Sequence, residues 1–309
     1  MASACTRSDI NSPAHFAGRL LRNEPMARHT SWRTGGNADL MYNAADLEDL
    51  ARFLRQLPED LPVLWLGLGS NLLVRDGGIR GVVIATQKTL TDITQLEPSV
   101  LRVGAGVPGA KLARFAVRAG LHGAEFFAGI PGTLGGALSM NAGAFGFETW
   151  DLVRSVQTVD RHGEIRERVA GEYRIGYRSV AGPPGEWFTA ADLQFARNVD
   201  DSTVTIKELL AERGASQPVQ SANAGSVFRN PPGHYAARLI EAAGLKGARC
   251  GNAMVSTQHA NFIVNTGGAT AEDIERLIVR LQQRVREQFG LDLETEVRIV
   301  GENAKHAKC

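Results

Sequence analysis

The sequence predicts an α+β fold with more than one domain. Its 309 residues exceed what one ordinary hydrophobic core supports. From about residue 18 onward, segments with helical spacing of apolar residues alternate with short apolar runs of strand length. The last part of the chain, from residue 201, contains its own helices and a closing strand, which indicates a separate α+β domain.

The composition is that of a globular enzyme without a dominant charge. Hydrophobic residues make up 43% and charged residues 22% of the chain, a typical globular balance. The 34 Lys and Arg nearly cancel the 33 Asp and Glu, so no overall field attracts nucleic acid or a membrane surface. We expect neither as a partner, and nothing in the sequence requires an obligate protein partner. An anionic ligand would need a local cluster of donors.

The N-terminal segment and the cysteines predict a cytoplasmic protein. The opening residues, MASACTRSDINSPAH, lack the apolar region of a signal peptide. No apolar run approaches the ~20 residues of a membrane span. Cys5, Cys250 and Cys309 are scattered, without CxxC or Cys/His ligand spacing, so we expect reduced thiols and no metal site.

The first two thirds of the chain contain two predicted helices and several strands. Asp46 can cap a helix that Pro58 ends. A second helix is expected from Pro108 to Gly120, where glycine can adopt the left-handed cap. Strands are expected at residues 63–66, 81–85, 101–103, 155–159 and 188–193.

The last helix is the clearest predicted element. Thr270 is its N-cap, and Gly290 follows its end. Earlier in this region, helices are expected at residues 203–211 and in the segment that ends at Gly244. A strand at residues 296–300 is expected to close the domain.

Three glycine clusters predict a ligand held by backbone amides. They lie at residues 33–36, 67–71 and 129–136, and they combine bare amides with small hydroxyls, which suit a pyrophosphate. Any one of them alone is explained by a turn. Three together favour a dinucleotide site, and the absence of GxxxxGK[ST] sets a P-loop NTPase aside.

A further motif, GAGVPG at residues 104–109, fits the Rossmann pattern GxGxxG. That fingerprint needs an acidic residue at the end of a second strand about 20 residues on. Here that window, residues 125–129, opens the glycine-rich stretch instead. We therefore interpret the motif as a tight turn between a strand and a helix.

Several blocks resemble one flavoprotein family. Residues 67–73 (GLGSNLL) resemble the first FAD loop of vanillyl-alcohol-oxidase-like flavoproteins, and residues 129–144 (GIPGTLGGALSMNAGA) resemble the longer FAD loop of the UDP-N-acetylenolpyruvoylglucosamine reductase (MurB) family. The similarity continues through YRS at residue 177, AGSVFRNP at residue 224, HANFIVN at residue 259 and EVRIVG at residue 296. Too few residues separate Gln217 from Gly225 for the tyrosine-bearing insertion of the family's longer subtype, so the chain resembles the shorter subtype.

The resemblance implies a fold and a division of the chain. It implies an α+β protein with a two-lobed FAD-binding module of the vanillyl-alcohol-oxidase (PCMH) type and a C-terminal α+β substrate-binding domain. The expected segments are an N-terminal tail at 1–18, FAD-binding lobes at 19–88 and 89–200, the substrate-binding domain at 201–301 and a C-terminal tail at 302–309.

The resemblance also implies an activity, the NADPH-dependent, FAD-mediated reduction of UDP-N-acetylglucosamine enolpyruvate to UDP-N-acetylmuramate in peptidoglycan synthesis. NADPH would act as a co-substrate that leaves before the sugar nucleotide enters. Ser226 would deliver a proton to the substrate carbon, while Arg178 and Glu296 would flank the enolpyruvyl carboxylate. Without the resemblance, Ser226 would be interpreted as a turn hydroxyl, Arg178 as a surface cation and Glu296 as a charge at a strand edge.

The binding residues implied by the resemblance form two sets. Those expected to hold FAD are Arg33, Gly67, Gly69, Ser70, Asn71, Gly129, Gly132, Thr133, Gly136 and Asn141. Those expected to contact the substrate are Tyr177, Arg229, Asn230, Lys246, Gln258 and Asn261. Arg229 departs from the lysine frequent in the family, and His259 is expected to be a packed or ribose-facing histidine. Two alternatives stay open, namely a flavin oxidase of the same fold and a flavin-free sugar-nucleotide binder.

Overall fold

The computed structural model describes residues 16–197 and 205–304 and divides them into two compact units. The first unit contains the described residues of the ranges 1–22, 40–68 and 81–210. The second contains those of 23–39, 69–80 and 211–309. Each unit is thus assembled from segments that lie far apart in sequence. The predicted division into two FAD-binding lobes and one substrate-binding domain stays a prediction.

Helices and short strands alternate along the chain, as an α+β fold requires. The helices are α1 (Leu47–Arg55), α2 (Gly109–Arg118), α3 (Leu134–Met140), α4 (Ile206–Ser216), α5 (Ala236–Ala242) and α6 (Ala271–Phe289). The strands are β1 (Arg19–Pro25), β2 (Asn37–Asn43), β3 (Val63–Leu66), β4 (Leu72–Val74), β5 (Ile79–Ala85), β6 (Ile93–Glu97), β7 (Val100–Gly104), β8 (Leu121–His122), β9 (Gly143–Ala144), β10 (Phe147–Glu148), β11 (Val153–Asp160), β12 (Ile165–Val169), β13 (Arg174–Gly176), β14 (Ser179–Ala181), β15 (Glu186–Gln194), β16 (Ala196–Arg197), β17 (Arg249–Cys250), β18 (Ala253–Val255), β19 (Ile263–Asn265) and β20 (Arg298–Val300). None of the helices in the described ranges combines the length and the apolar character that crossing a membrane requires.

The largest sheet of the first unit is antiparallel, with strand order β12–β11–β15–β7–β6. Helix α3 packs against β7 and β15. Its Leu134 and Leu138 are fully buried in the same hydrophobic cluster as Leu101 and Leu193 of the sheet. This cluster fixes the helix that follows the longest glycine loop.

Helix α1 confirms the prediction made from its N-cap and its apolar stripe. The Asp46 carboxylate accepts a hydrogen bond from the Asp49 N–H at 2.7 Å. Phe53 and Leu54 are buried in one cluster with Val82 of β5. Strand β5 pairs with β3 in parallel register within the four-stranded sheet β1–β2–β5–β3. The helix ends at Arg55, before Pro58, as expected.

Asp49 of α1 is a fully buried carboxylate surrounded by donors. The Tyr42 hydroxyl donates to Oδ2, and the N–H groups of Ala17 and Ala45 donate at 2.9 and 3.0 Å. Burial alone would raise the pKa of Asp49, but the hydrogen bonds from Tyr42, Ala45, Ala17 and Gly18 outweigh it and lower the pKa below its usual value. The ionised carboxylate therefore ties the residues before β1 to α1.

The GxGxxG segment is a tight turn between β7 and α2, as the sequence predicts. A Cβ on Gly104 would lie 2.4 Å from the Leu90 carbonyl oxygen, and one on Gly106 would lie 2.0 Å from that of Thr86. The glycines are thus required where two backbone segments approach each other closely.

In the second unit, α6 and its hydrophobic cluster confirm the clearest prediction. The Thr270 hydroxyl accepts from the Asp273 N–H at 3.0 Å, and Gly290 ends the helix with a left-handed φ of 67°. The Asp76 carboxylate also accepts hydrogen bonds from the N–H groups of Ala271 and Glu272. Negative charge near a helix N-terminus is stabilising.

Elsewhere the boundaries differ from expectation. Helix α4 begins at Ile206 and extends to Ser216, and residues 203 and 204 of the predicted 203–211 helix lie outside the described part of the chain. Strand β20 covers only Arg298–Val300, because the 296–297 backbone instead hydrogen-bonds to the Val227 carbonyl. Helix α3 and the β13–β14 hairpin were not predicted.

Candidate active site

Two of the predicted glycine loops meet inside the first unit. Gly67 follows β3 and lies so close to Thr133 that a Cβ on it would be 2.5 Å from Thr133 Oγ1. Thr133 is 2% exposed and is the N-cap of α3, where its hydroxyl accepts a hydrogen bond from the Gly136 N–H at 3.5 Å. The structure thus brings together three residues that the sequence assigned to one cofactor site.

The turn between β7 and α2 supports the longer loop. The N–H groups of Leu134 and Gly135 donate to the carbonyls of Val107 and Ala105 at 2.9 and 2.8 Å. Gly132 lies against the same turn, since its carbonyl accepts from the Gly109 N–H at 3.0 Å. The GAGVPG turn at residues 104–109 therefore supports the candidate cofactor loop through backbone hydrogen bonds.

Asn141 ends α3 in the left-handed region, with φ 46°, and is 1% exposed. Its carboxamide donates to Glu148 Oε2 at 2.7 Å and to the Gly176 carbonyl at 3.4 Å, and it accepts from the Trp150 N–H at 3.1 Å. Asn141 therefore holds three protein segments together. Its predicted contact with FAD stays a prediction.

Arg178 lies with Tyr177 at the tip of the hairpin formed by β13 and β14. Its backbone is left-handed, with φ 50°, and its guanidinium lies 5.3 Å from the centroid of the Tyr177 ring. Nη1 donates to the Asn141 carbonyl at 3.2 Å and Nη2 to the Gly143 carbonyl at 3.0 Å. Arg178 is thus a turn residue whose guanidinium is held by two hydrogen bonds to backbone carbonyls.

The nearby pair Tyr173 and Arg174 is different. The Tyr173 ring packs against Trp150 and Phe188, and burial raises the pKa of its hydroxyl to about 12. Arg174 is an exposed strand residue opposite Ala181. Tyr173 is therefore a packing residue, and the assignment of the motif to Tyr177 and Arg178 stays a prediction.

In the second unit, Ser226 and Glu296 lie on neighbouring backbone segments. The Glu296 N–H donates to the carbonyl of Val227, the residue after Ser226, at 2.8 Å. Ser226 follows Gly225, which has a left-handed φ of 73°. Asn71 fixes the other side of Glu296, because its amide donates to the Glu296 carbonyl at 3.0 Å. Arg178 belongs to the first unit.

Asn261 holds the Ser226 segment. It is 4% exposed, and its carboxamide accepts from the Phe228 N–H at 3.0 Å and donates to the Phe228 carbonyl at 2.8 Å. Its own carbonyl accepts from the Val227 N–H at 2.9 Å. A residue predicted to contact substrate therefore acts in this structure as a backbone clamp beside Ser226.

The other predicted substrate residues have protein partners in the second unit. The Asn230 Oδ1 accepts from the Ala236 N–H at the start of α5, and the Gln258 amide donates to the carbonyls of residues 214 and 215. The cations face acids, with Lys246 2.8 Å from Glu241 and Arg229 3.9 Å from Glu294.

His259 is a packed histidine rather than a base. Its ring contacts Phe262 edge-on, and its Nδ1 accepts the Asn261 N–H at 3.3 Å. Burial, followed by the nearby Lys246 charge, lowers the pKa of His259. The neutral ring is therefore favoured near pH 7, and the packing against Phe262 agrees with the first of the two predicted alternatives.

The remaining predicted cofactor residues lie in loops, except Gly129, which ends the 3-10 helix Glu125–Gly129. Gly69 has a left-handed φ of 63°, and a Cβ on it would lie 2.0 Å from the His29 carbonyl oxygen. It leads into Ser70 and Asn71. Arg33 also has a left-handed φ, of 56°, in a turn closed by its N–H to the Thr30 carbonyl.

Comparison with known proteins first defines the class. Residues 38–168 match the family described as an FAD binding domain. This range includes Gly67, Thr133 and Gly136, where bare backbone and a small hydroxyl converge with little side-chain bulk. These features fit a large dinucleotide cofactor, and the chain is a flavoprotein of the FAD-binding type.

The second match defines the family. Residues 217–300 match the C-terminal domain of UDP-N-acetylenolpyruvoylglucosamine reductase. Proteins of that name from Alkalilimnicola ehrlichii and Methylococcus capsulatus are 57% and 56% identical, and the alignments cover 92% and 96% of this chain and 96% and 97% of theirs. The chain therefore belongs to the UDP-N-acetylenolpyruvoylglucosamine reductase family.

A solved structure supports this assignment. The crystal structure of UDP-N-acetylenolpyruvylglucosamine reductase (MurB) from Thermus caldophilus has a TM-score of 0.77 and 35% identity, covering 91% of this chain and 99% of that one. Together with the FAD-binding match, it confirms the predicted α+β fold with a flavin-binding module.

The Gly67–Thr133 contact predicts a specific loss of cofactor. In Gly67→Ala the new methyl group would displace the Thr133 hydroxyl from its position on α3. Since an N-cap contributes ~1 kcal/mol, we expect FAD to bind about five- to tenfold more weakly. The ratio of flavin to protein absorbance and a titration of apoprotein with FAD measure this.

Gly171→Ala is the matched control for this variant. A Cβ at Gly171 meets no atom within 4 Å, so its FAD affinity is expected to equal that of the unmodified protein. Equal affinities in all three proteins would show that the contact between the two loops is unimportant for the cofactor.

Proposed function

We propose that this protein reduces UDP-N-acetylglucosamine enolpyruvate to UDP-N-acetylmuramate, with FAD as cofactor and NADPH as electron donor. The observation that carries the proposal is the pairing of the Ser226 and Glu296 segments, which lie in the region that matches the reductase C-terminal domain. Near full-length identity to proteins named for this reductase supports the substrate.

The net reaction adds a hydride and a proton across the enolpyruvyl double bond and oxidises NADPH to NADP. Bound FAD supplies the two-electron chemistry. The protein's own residues then have to bind the sugar nucleotide, orient its carboxylate and deliver one proton to the carbon next to the ether oxygen.

Ser226 is proposed as the proton donor. A serine hydroxyl is a weak acid, so it must be held and polarised to act in this way. The left-handed Gly225 before it and the Asn261 clamp after it restrict the backbone on both sides. Glu296, fixed by Asn71 and Val227, is proposed to stabilise the enol-like charge distribution of the reacting group.

Arg178 is proposed to bind the enolpyruvyl carboxylate. A guanidinium stays charged and matches the two carboxylate oxygens geometrically. Tyr177 and the cations Arg229 and Lys246 are proposed to contact the sugar nucleotide. The predicted roles of Asn230, Gln258 and Asn261 at the substrate, the cytoplasmic location and the absence of nucleic-acid, membrane or protein partners stay predictions.

An anaerobic visible-absorption titration tests this function. Purified protein is expected to be yellow, to lose its flavin absorbance when NADPH is added, and to regain it when UDP-N-acetylglucosamine enolpyruvate is added without oxygen. Recovery only after air is admitted would instead support a flavin oxidase. Protein that contains no flavin and takes none up would support the sugar-nucleotide binder.

A further inference from the structure

We infer that Glu148 is a positioning residue for Arg178, acting through Asn141; the inference rests on the proposed function of Arg178. Glu148 belongs to none of the sequence motifs described above. It lies in β10, opposite Gly143 of β9, and is part of the first unit together with Asn141 and Arg178.

The first step joins Glu148 to Asn141. The Glu148 Oε2 accepts a hydrogen bond from the Asn141 amide at 2.7 Å. Asn141 is 1% exposed, whereas Glu148 is half-buried, and a hydrogen bond to a carboxylate is stronger than one between neutral groups. The remaining bonds of that amide, to the Gly176 carbonyl and from the Trp150 N–H, require the same rotamer. Glu148 therefore supplies the shortest of three hydrogen bonds that hold Asn141 in one orientation.

The second step joins Asn141 to Arg178. The backbone carbonyls of Asn141 and Gly143 accept hydrogen bonds from the two terminal nitrogens of the Arg178 guanidinium. Two bonds from one planar group fix its plane as well as its position. The Asn141 side chain also holds the Gly176 carbonyl, at the base of the turn that carries Arg178.

The backbone shows that this arrangement is maintained against strain. Asn141, Phe145 and Arg178 all have positive φ, of 46°, 56° and 50°. Such conformations are uncommon for residues other than glycine and persist where surrounding contacts enforce them. The Glu148 carboxylate supplies one of these contacts, to the Asn141 amide, and that amide also donates to the Gly176 carbonyl of the hairpin.

Gly143 shows how closely the parts fit. A Cβ there would lie 3.1 Å from Glu148 Cγ and 3.3 Å from Arg178 Nη1. The stem of Glu148 and the guanidinium of Arg178 thus flank one glycine from two directions. A side chain at position 143 would therefore collide with both groups, and only glycine leaves room for them.

A double-mutant cycle between Glu148→Ala and Arg178→Ala tests the inference. In the otherwise unmodified holoenzyme, Glu148→Ala is expected to slow flavin reoxidation by UDP-N-acetylglucosamine enolpyruvate about tenfold or more, because misplaced binding groups carry a cost of that order. Reduction by NADPH of the flavin that is bound is expected to be unchanged. In the Arg178→Ala background, Glu148→Ala should have almost no further effect, because residues that act as a unit are not additive.

Conservative variants and a control separate positioning from folding. Glu148→Gln keeps an acceptor for the Asn141 amide and is expected to retain most of the rate, while Glu148→Asp, one methylene shorter, should lose it and still fold. Glu164→Ala removes an exposed carboxylate of the same unit and should leave every rate unchanged.

The outcomes distinguish this inference from the proposed function. If the unmodified enzyme recovers its absorbance with the enolpyruvate but Glu148→Ala slows reoxidation equally with and without Arg178, or slows both half-reactions alike, the positioning role is overturned. If the unmodified enzyme is not reoxidised by the enolpyruvate at all, the proposed function has failed instead. In that case thermal unfolding and flavin content of the Glu148 variants still report whether the side chain is merely structural.

Discussion

Ser226→Ala is expected to slow reoxidation of the reduced flavin by UDP-N-acetylglucosamine enolpyruvate by about 10²–10⁴-fold, the usual contribution of a positioned proton donor. Reduction by NADPH is expected to proceed at the unmodified rate, since it requires no proton at the substrate carbon. The substitution removes one oxygen atom from a segment whose backbone is held by Asn261 and Glu296, so the local structure should persist.

Stopped-flow absorbance under anaerobic conditions measures the two half-reactions separately. Ser221→Ala is the control, because Ser221 is exposed and lies in the same connection, five residues before Ser226. Slowing of both half-reactions by the same factor in Ser226→Ala would indicate a general disturbance of the site. An unchanged reoxidation rate would show that the proton comes from another group.

The elements that could be predicted from sequence carry their own boundary signals. Helix α6 has a capping threonine at one end and a left-handed glycine at the other, and α1 has its capping aspartate. Helix α3 could not be predicted, because Gly135 and Gly136 disfavour a helix locally. It forms because Leu134 and Leu138 are buried against the large sheet.

Only part of the candidate site could be predicted from the sequence. The resemblance implies roles for Ser226, Arg178 and Glu296, which stay predictions, and the surroundings of these residues depend on contacts between distant segments. The hydrogen bond between the Asn71 amide and the Glu296 carbonyl joins residues 225 positions apart. Local residue spacing cannot predict a contact over such a distance in sequence. The two units themselves are each assembled from three separate segments.

The charge pattern of the sequence contains a signal that points to Glu148. From Glu125 to Glu148 the chain carries no other charged residue. A carboxylate that ends such a glycine-rich, uncharged stretch stands beside backbone groups that need partners. That placement alone favours a role in holding the loop, although only the structure shows that the partner is Asn141.

Asp49→Ala is expected to have the largest effect on stability, lowering the free energy of unfolding by about 3–5 kcal/mol, as loss of one partner from a buried charged network does. The substitution would leave the Tyr42 hydroxyl and the N–H groups of Ala17 and Ala45 without their acceptor in a site that water does not reach. Urea unfolding followed by far-ultraviolet circular dichroism measures the change. Asp60→Asn, at an exposed position just after the same helix, should shift the midpoint very little.

The same carboxylate predicts how stability depends on pH. Because the pKa of Asp49 is lower in the folded protein than its usual value, the stabilisation is complete above the unfolded pKa of about 3.9. It is lost as the pH falls below that value towards the folded pKa. Between pH 5 and about 3, the unmodified protein should therefore lose more stability than Asp49→Asn, which has no charge to protonate. Parallel losses in the two proteins would mean that the hydrogen bonds around Asp49 do not favour its ionised form, and that the acid sensitivity of the fold arises at other carboxylates.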